Sequence, residues 1–324
     1  MTKHPKKTII KASLKQILKF NMVIKKGKIN WVNLIRPNEK ELAALKKEFG
    51  IHPIIIEELS QPSARSKVEI YGNYMFVVYQ LPVYDSKERV SRRGEVDFLI
   101  IKNTVITVTY EPLEPIQMIE DKIEENGIYK ERLLSGDSAR LLYYLMESCL
   151  LFSLRQLRHI DEKVEDVRNN LFQSKGRELL EKISYVKRDL LSYYLITRAQ
   201  TSIFNSLNRV GPDYFGQNTK VYFTDLEGDF LKVMQSCENY KETIESFEHT
   251  NTQMLTIGMT KIMQRFSVLA FMTFPLVVFL ALFAIDSNSR PIVGHTPYDF
   301  WILAGIVVGA LLIMAAIFKK KDWL

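Results

Sequence analysis

FSVLAFMTFPLVVFLALFAI occupies residues 266–285, and FWILAGIVVGALLIMAAIF occupies residues 300–318. Neither run carries a charge, and each is long enough to cross a hydrocarbon core of about 30 Å as an α-helix. One such run fits the buried helix of a soluble core. Two in succession at the end of the chain, each with charged borders, read as a membrane hairpin. The stretch between them, 286–299, holds one Arg and no Lys. Lys261 and Arg265 precede the first run, and Lys319, Lys320 and Lys321 follow the second. Positive flanks favour the cytoplasmic side, so both chain ends are expected there, 286–299 is expected to be an external loop and 319–324 a basic cytosolic tail. The basic start is not followed by an apolar core, so no signal peptide is expected.

Composition agrees with a folded chain. Of 324 residues, 25% are charged and 47% hydrophobic, which excludes a disordered segment or a collagen-like fibre. Cys149 and Cys237 are too few for a disulfide scaffold or a zinc site and fit a reducing compartment. Nine Lys and Arg36 give residues 1–36 a charge of +10; with +7 overall, the remainder carries −3. The excess sits on one tail, so no nucleic-acid partner is expected. Within the leader, 1–26, IIKASLKQILKF (9–20) places Ile9, Ile10, Leu14, Ile17 and Leu18 near one helical face. That pattern suits an interfacial helix drawn to anionic lipid, and equally a leader without a special role.

Between leader and hairpin the periodicity changes twice. Val68–Tyr71, Tyr74–Leu81, Val96–Ile101 and Val105–Tyr110 are β-branched and aromatic runs of strand length. Glu39–Phe49 and Ile54–Leu59 read as short helices, so 27–114 is expected to be an α/β sheet domain. Residues 115–220 read as helical, with GPDYFG at 211–216 as a break. From Val221 the helical pattern runs unbroken to residue 285, about 98 Å at 1.5 Å per residue. This is read as a stalk that continues into the first membrane helix. Stepping by seven along it gives Ser246, Gln253, Thr260, Ser267, Phe274 and Ala281, with Glu242, His249, Thr256, Met263, Ala270, Val277 and Ala284 alongside. A dry coiled coil favours Leu, Ile or Val on such seams. This one is polar before the apolar run and suits helices around a wet axis; packing against the domain's own helices remains open.

WVNLIRPNEKELAALKKEFGIHPIIIEELSQPSARSKVEIYGNYMFVVYQLP (31–82) resembles the opening of the CorA-type divalent metal ion transporters. The shared features are a Trp strand, a Pro-x-x-x-Glu-Leu helix, a Phe-x-Ile-His-Pro turn, an acidic pair and Lys-Val-Glu-x-Tyr-x-x-Tyr. VDFLIIKNTVITVTYE (96–111), VYFTDLEGDFLKVMQSCENYKETIESF (221–247), the Pro275-Leu276 pair and the ending FKKKDWL (318–324) resemble that family in the same order. The resemblance implies a funnel-shaped homopentamer in the cell's inner (plasma) membrane. Five first helices would line a pore, with cytosolic metal holding it closed.

It also implies particular residues. The family's outer signature, Tyr-Gly-Met-Asn, is replaced here by Phe283, Ala284, Ile285 and Asp286. A ring of Asp286 carboxylates would concentrate cations and alter the handling of hydrated Mg²⁺; Asp286 as the first residue of a polar loop is the competing reading. Further along the pore the matching positions are Val277, Phe274, Phe266 and Thr260, bulkier and more apolar than is usual in the family. The cytosolic metal site carries over to Glu58 and Asp225, against the reading of both as solvated surface acids. A divalent cation, Mg²⁺ foremost and Zn²⁺, Co²⁺ or Ni²⁺ as relatives, is thus implied as substrate and regulator. The partners implied are other copies of the chain and membrane lipid. No P-loop, HExxH, GxSxG or dinucleotide fingerprint is present, so an ATP-driven pump, an enzyme and an organic cofactor are not expected. The alternative within the same architecture is a non-conducting scaffold or metal sensor.

Overall fold

The structure, a computed structural model, describes residues 23–25, 29–171, 176–284 and 298–321. The expectations for residues 1–22 of the leader, for Ile285, for 286–297 with Asp286, and for the last three residues lie outside them, whereas Val23–Lys25, placed in the leader by the sequence, form a strand of the sheet. The chain divides into two compact units, Met1–Phe247 and Glu248–Leu324.

The first unit is built on a six-stranded sheet: β1 (Val23–Lys25), β2 (Asn30–Ile35), β3 (Lys67–Tyr71), β4 (Tyr74–Asp85), β5 (Val90–Ile101) and β6 (Thr104–Thr109). The order is β1-β2-β6-β5-β4-β3, with only the β2–β6 pair parallel. Alternating side chains divide between two cores. Met75, Val77, Tyr79, Phe98 and Ile100 belong to one, and Phe76, Val78, Leu99 and Ile101 to the other. Coverage on both faces explains why β4 and β5 read as nearly continuous apolar runs.

Helices α1 (Glu39–Phe49) and α2 (Pro53–Glu58) fill the loop between β2 and β3 and supply Leu42, Leu45 and Ile55 to the second core. Asn38 caps α1: its side chain accepts from the backbone N–H of Lys40 and Glu41, while the Glu41 carboxylate accepts from the Asn38 N–H. The larger core is closed by α3 (Glu114–Glu125), α4 (Gly127–Leu134), α5 (Ser138–Asn170), α6 (Gly176–Ala199), α7 (Thr201–Phe215) and the start of α8 (Lys220–Ala284).

Several boundaries differ from expectation. Strands β4 and β5 extend beyond their apolar stretches, because the polar ends are held by tertiary bonds. Asp189 accepts from both the N–H and the hydroxyl of Ser91 at 2.7 Å, and Lys163 donates to the same carboxylate at 2.6 Å. Helix α7 runs through Gly211 and Pro212 and ends at Gly216, whose φ of 113° favours glycine. Gly211 has a packing reason: a Cβ there would lie 2.5 Å from the Phe223 ring.

Helix α8 contains 65 residues. Its first turns are core, with Phe223, Leu226, Phe230, Val233, Cys237 and Ile244 all buried in the first unit. The second unit contains the remainder of α8 and α9 (Asp299–Lys320). Both helices are long and apolar enough to cross a membrane. Apart from Asn251 and Val268, no described residue of that unit is buried.

Candidate functional site

Glu58 lies at the end of α2, which starts with Pro53 and is capped by His52. The following loop returns the chain to β3, where Lys67 and Glu69 fall two residues apart and therefore on one face. Lys67 Nζ lies 2.7 Å from Glu58 Oε2 and 2.8 Å from Glu69 Oε2. Its side chain is 15% exposed. Burial disfavours the ammonium charge, but the hydrogen bonds to Glu58 and Glu69 outweigh it and raise the Lys67 pKa. Burial likewise opposes the Glu69 charge, and the bonds from Lys67 and Tyr71 reverse that and lower its pKa.

Beside this triad the sheet holds two buried acids. Glu95 accepts from the Ser63 N–H at 2.6 Å and from Gln80 Nε2 at 2.8 Å, and burial raises its pKa. Asp97 is 0% exposed and accepts from the Tyr110 hydroxyl at 2.7 Å through Oδ2, while Oδ1 has no hydrogen-bond partner. Burial, then repulsion from Glu95, pushes the Asp97 carboxyl well above the usual carboxylate range. A cavity of about 350 Å³ opens over Glu58, Ser63, Arg65 and Lys67.

Asp225 lies elsewhere in the first unit, on α8. Its Oδ2 accepts from the Tyr143 hydroxyl at 2.7 Å, and that hydroxyl also lies 3.0 Å from Glu147 Oε1. The groove beside it is lined by Lys220, Thr224, Asp225, Asp229 and Lys232, with Asp229 paired to Lys232 at 2.8 Å. Among the described residues Glu58 is bonded to Lys67 and Asp225 to Tyr143, and the two acids do not share a partner. Among the described residues no three His, Cys, Asp or Glu side chains are grouped to hold a metal ion.

In the second unit, Thr260, Phe266, Phe274, Val277 and Ala284 all lie on the α8 surface, exposed. Phe274 is 71% exposed. The Thr260 hydroxyl donates to the Thr256 carbonyl at 2.9 Å, and Pro275 sits inside the helix. Asp286 and Ile285 lie outside the described residues. The partners of the two proposed sensor acids, Lys67 and Tyr143, were not singled out from the sequence. Lys67 had a signal in the Lys-x-Glu alternation of a strand, whereas Tyr143, 82 residues from Asp225, had none.

An α/β unit joined through one long helix to two uncovered apolar helices defines a two-span membrane protein. The chain matches the family of CorA-like Mg²⁺ transporter proteins over residues 26–320 and belongs to it. That is a family of divalent-cation transporters and not of enzymes. The Thermotoga maritima cobalt/magnesium transport protein CorA is 21% identical over 91% of this chain and 83% of its own. The Methanocaldococcus jannaschii cobalt/magnesium transport protein CorA is 19% identical, covering 91% of each chain. The complete structure of the CorA magnesium transporter from the latter organism superposes with a TM-score of 0.80 at 18% identity, covering 94% of both chains. At that identity the superposition establishes the fold.

Proposed function

We propose that this protein is a homopentameric, passive conductor of divalent cations, Mg²⁺ first, in the cell's inner membrane. Both termini are cytoplasmic and the α8 helices line the pore. The carrying observation is the uncovered apolar surface of α8, on which Phe266, Phe274 and Val277 are exposed in the isolated chain together with Leu269, Phe271 and Leu280. Lipid and neighbouring α8 helices would cover that surface between them, and apolar rings along a pore gate by dewetting. A membrane potential of 100 mV supplies about 2.3 kcal/mol per charge, and hence about twice that for a divalent ion. At the cytosolic end, Glu58 of one subunit and Asp225 of the next would share a divalent ion through its water shell. The present partners, Lys67 and the Tyr143 hydroxyl, would compete with that ion. The Asp286 ring would stand at the outer mouth.

The test is uptake into liposomes under an inside-negative potential, with Mg²⁺, Co²⁺, Ni²⁺ and Zn²⁺ compared. Selective uptake that changes in Asp286→Ala supports the reading. No uptake of any of these ions by folded, pentameric protein replaces it with the scaffold or sensor reading, which the altered signature at 283–286 favours.

A further inference from the structure

His249 and Thr260 are eleven residues apart on α8. At 3.6 residues per turn, eleven residues advance about 16 Å and return to within about 20° of the same direction. His249, Gln253, Thr256 and Thr260 thus form one polar stripe on one face, and all four are exposed. The two Thr hydroxyls donate to carbonyls of their own helix at 2.9 Å, Thr256 to Thr252 and Thr260 to Thr256. Gln253 Nε2 lies 2.9 Å from His249 Nε2. In the tautomer protonated at Nδ1, the ring Nε2 accepts from the Gln253 amide NH₂ and keeps its lone pair. That lone pair is what a neutral imidazole offers a metal ion.

One imidazole and one amide hold no metal alone; rotational symmetry multiplies them. We infer that the His249 imidazoles of neighbouring subunits form a transition-metal site on the ion path, on the cytosolic side of Thr260, which takes Ni²⁺, Co²⁺ or Zn²⁺ in preference to Mg²⁺. This rests on the pentameric pore proposed above. Imidazole nitrogen suits these ions, whereas Mg²⁺ selects oxygen and retains its water. A metal captured there displaces the Gln253 hydrogen bond and obstructs the passage of Mg²⁺.

Co²⁺ titrated into tag-free, full-length oligomer is expected to give visible ligand-field bands that saturate at one Co²⁺ per five chains. The bands disappear in His249→Ala. They persist in His159→Ala, a control whose exposed imidazole lies 3.9 Å from Glu162. Wild-type protein without such bands, or His249→Ala that retains them, overturns the inference. In proteoliposomes, Ni²⁺ on the cytosolic face should block Mg²⁺ uptake at concentrations about tenfold or more lower in wild type than in His249→Ala. Equal block in both overturns the inference as well. If neither protein passes Mg²⁺, the transport reading fails while the Co²⁺ spectrum still decides the site.

Discussion

The two units of this chain solve the burial problem in opposite ways. The first covers its sheet on both faces and closes its charges in pairs: Lys67 with Glu58 and Glu69, and Asp189 with Lys163 and Ser91. The second leaves Phe266, Leu269, Phe271, Phe274 and Val277 open along α8, and no described residue of α9 is buried. In water the second arrangement would aggregate. In a bilayer, lipid and neighbouring helices cover the same side chains, and the helical backbone satisfies its own polar groups. Equal apolarity therefore means a core in one unit and a surface suited to a membrane in the other.

Mutations that break this contrast differ in size. Phe98 is fully buried, so Phe98→Ala should cost about 3–5 kcal/mol and lower the melting temperature of the first unit's transition. Phe274→Ala should leave that transition in place. Equal destabilisation by both in calorimetry would erase the distinction. Next comes Lys67→Met, which leaves the Glu58 and Glu69 carboxylates without their ammonium. These groups are partly exposed, so the expected loss is about 1–2 kcal/mol at neutral pH rather than the larger cost of a fully buried pair. The Glu69 pKa is lowered in the folded state, so its contribution is present above its ordinary value and is lost as pH falls. The gap between wild type and Lys67→Met should accordingly narrow in acid; a gap that does not vary with pH in denaturant titrations counts against the pair.

The smallest effect is a slope. Asp97 has a raised folded pKa, so its stabilising contribution is complete below its ordinary value and declines as pH climbs through the raised one. Asp97→Asn keeps an acceptor for Tyr110 and has no charge to acquire. Its melting temperature should fall less than that of wild type as pH rises above the ordinary carboxylate range. Identical slopes would mean that Asp97 is not a source of the pH dependence.

Much of this was legible in the residues. The two charge-free runs and the Pro275-Leu276 pair are local features, and the strand cores at 74–81 and 96–101 follow from β-branched and aromatic content. The ordered motifs from Trp31 to the final basic tail pointed to the family that the match over 26–320 shows. The candidate site was legible only in part. Glu58 and Asp225 were singled out by resemblance, but what each carboxylate holds was not. Lys67 reaches Glu58 across nine residues, and Tyr143 reaches Asp225 across 82.

The stalk shows the same division. Its helical periodicity is continuous from Val221, so periodicity alone does not separate the turns that bury Phe223, Phe230 and Cys237 from those that leave Phe266 and Phe274 open. Periodicity and hydropathy depend on neighbours a few residues away, so the sequence specified which segments are helices, which are strands and which suit a membrane. Which face of each is covered, and which carboxylate meets an ammonium or a phenol, depends on groups that meet only when distant segments pack. Those were decided by the tertiary structure.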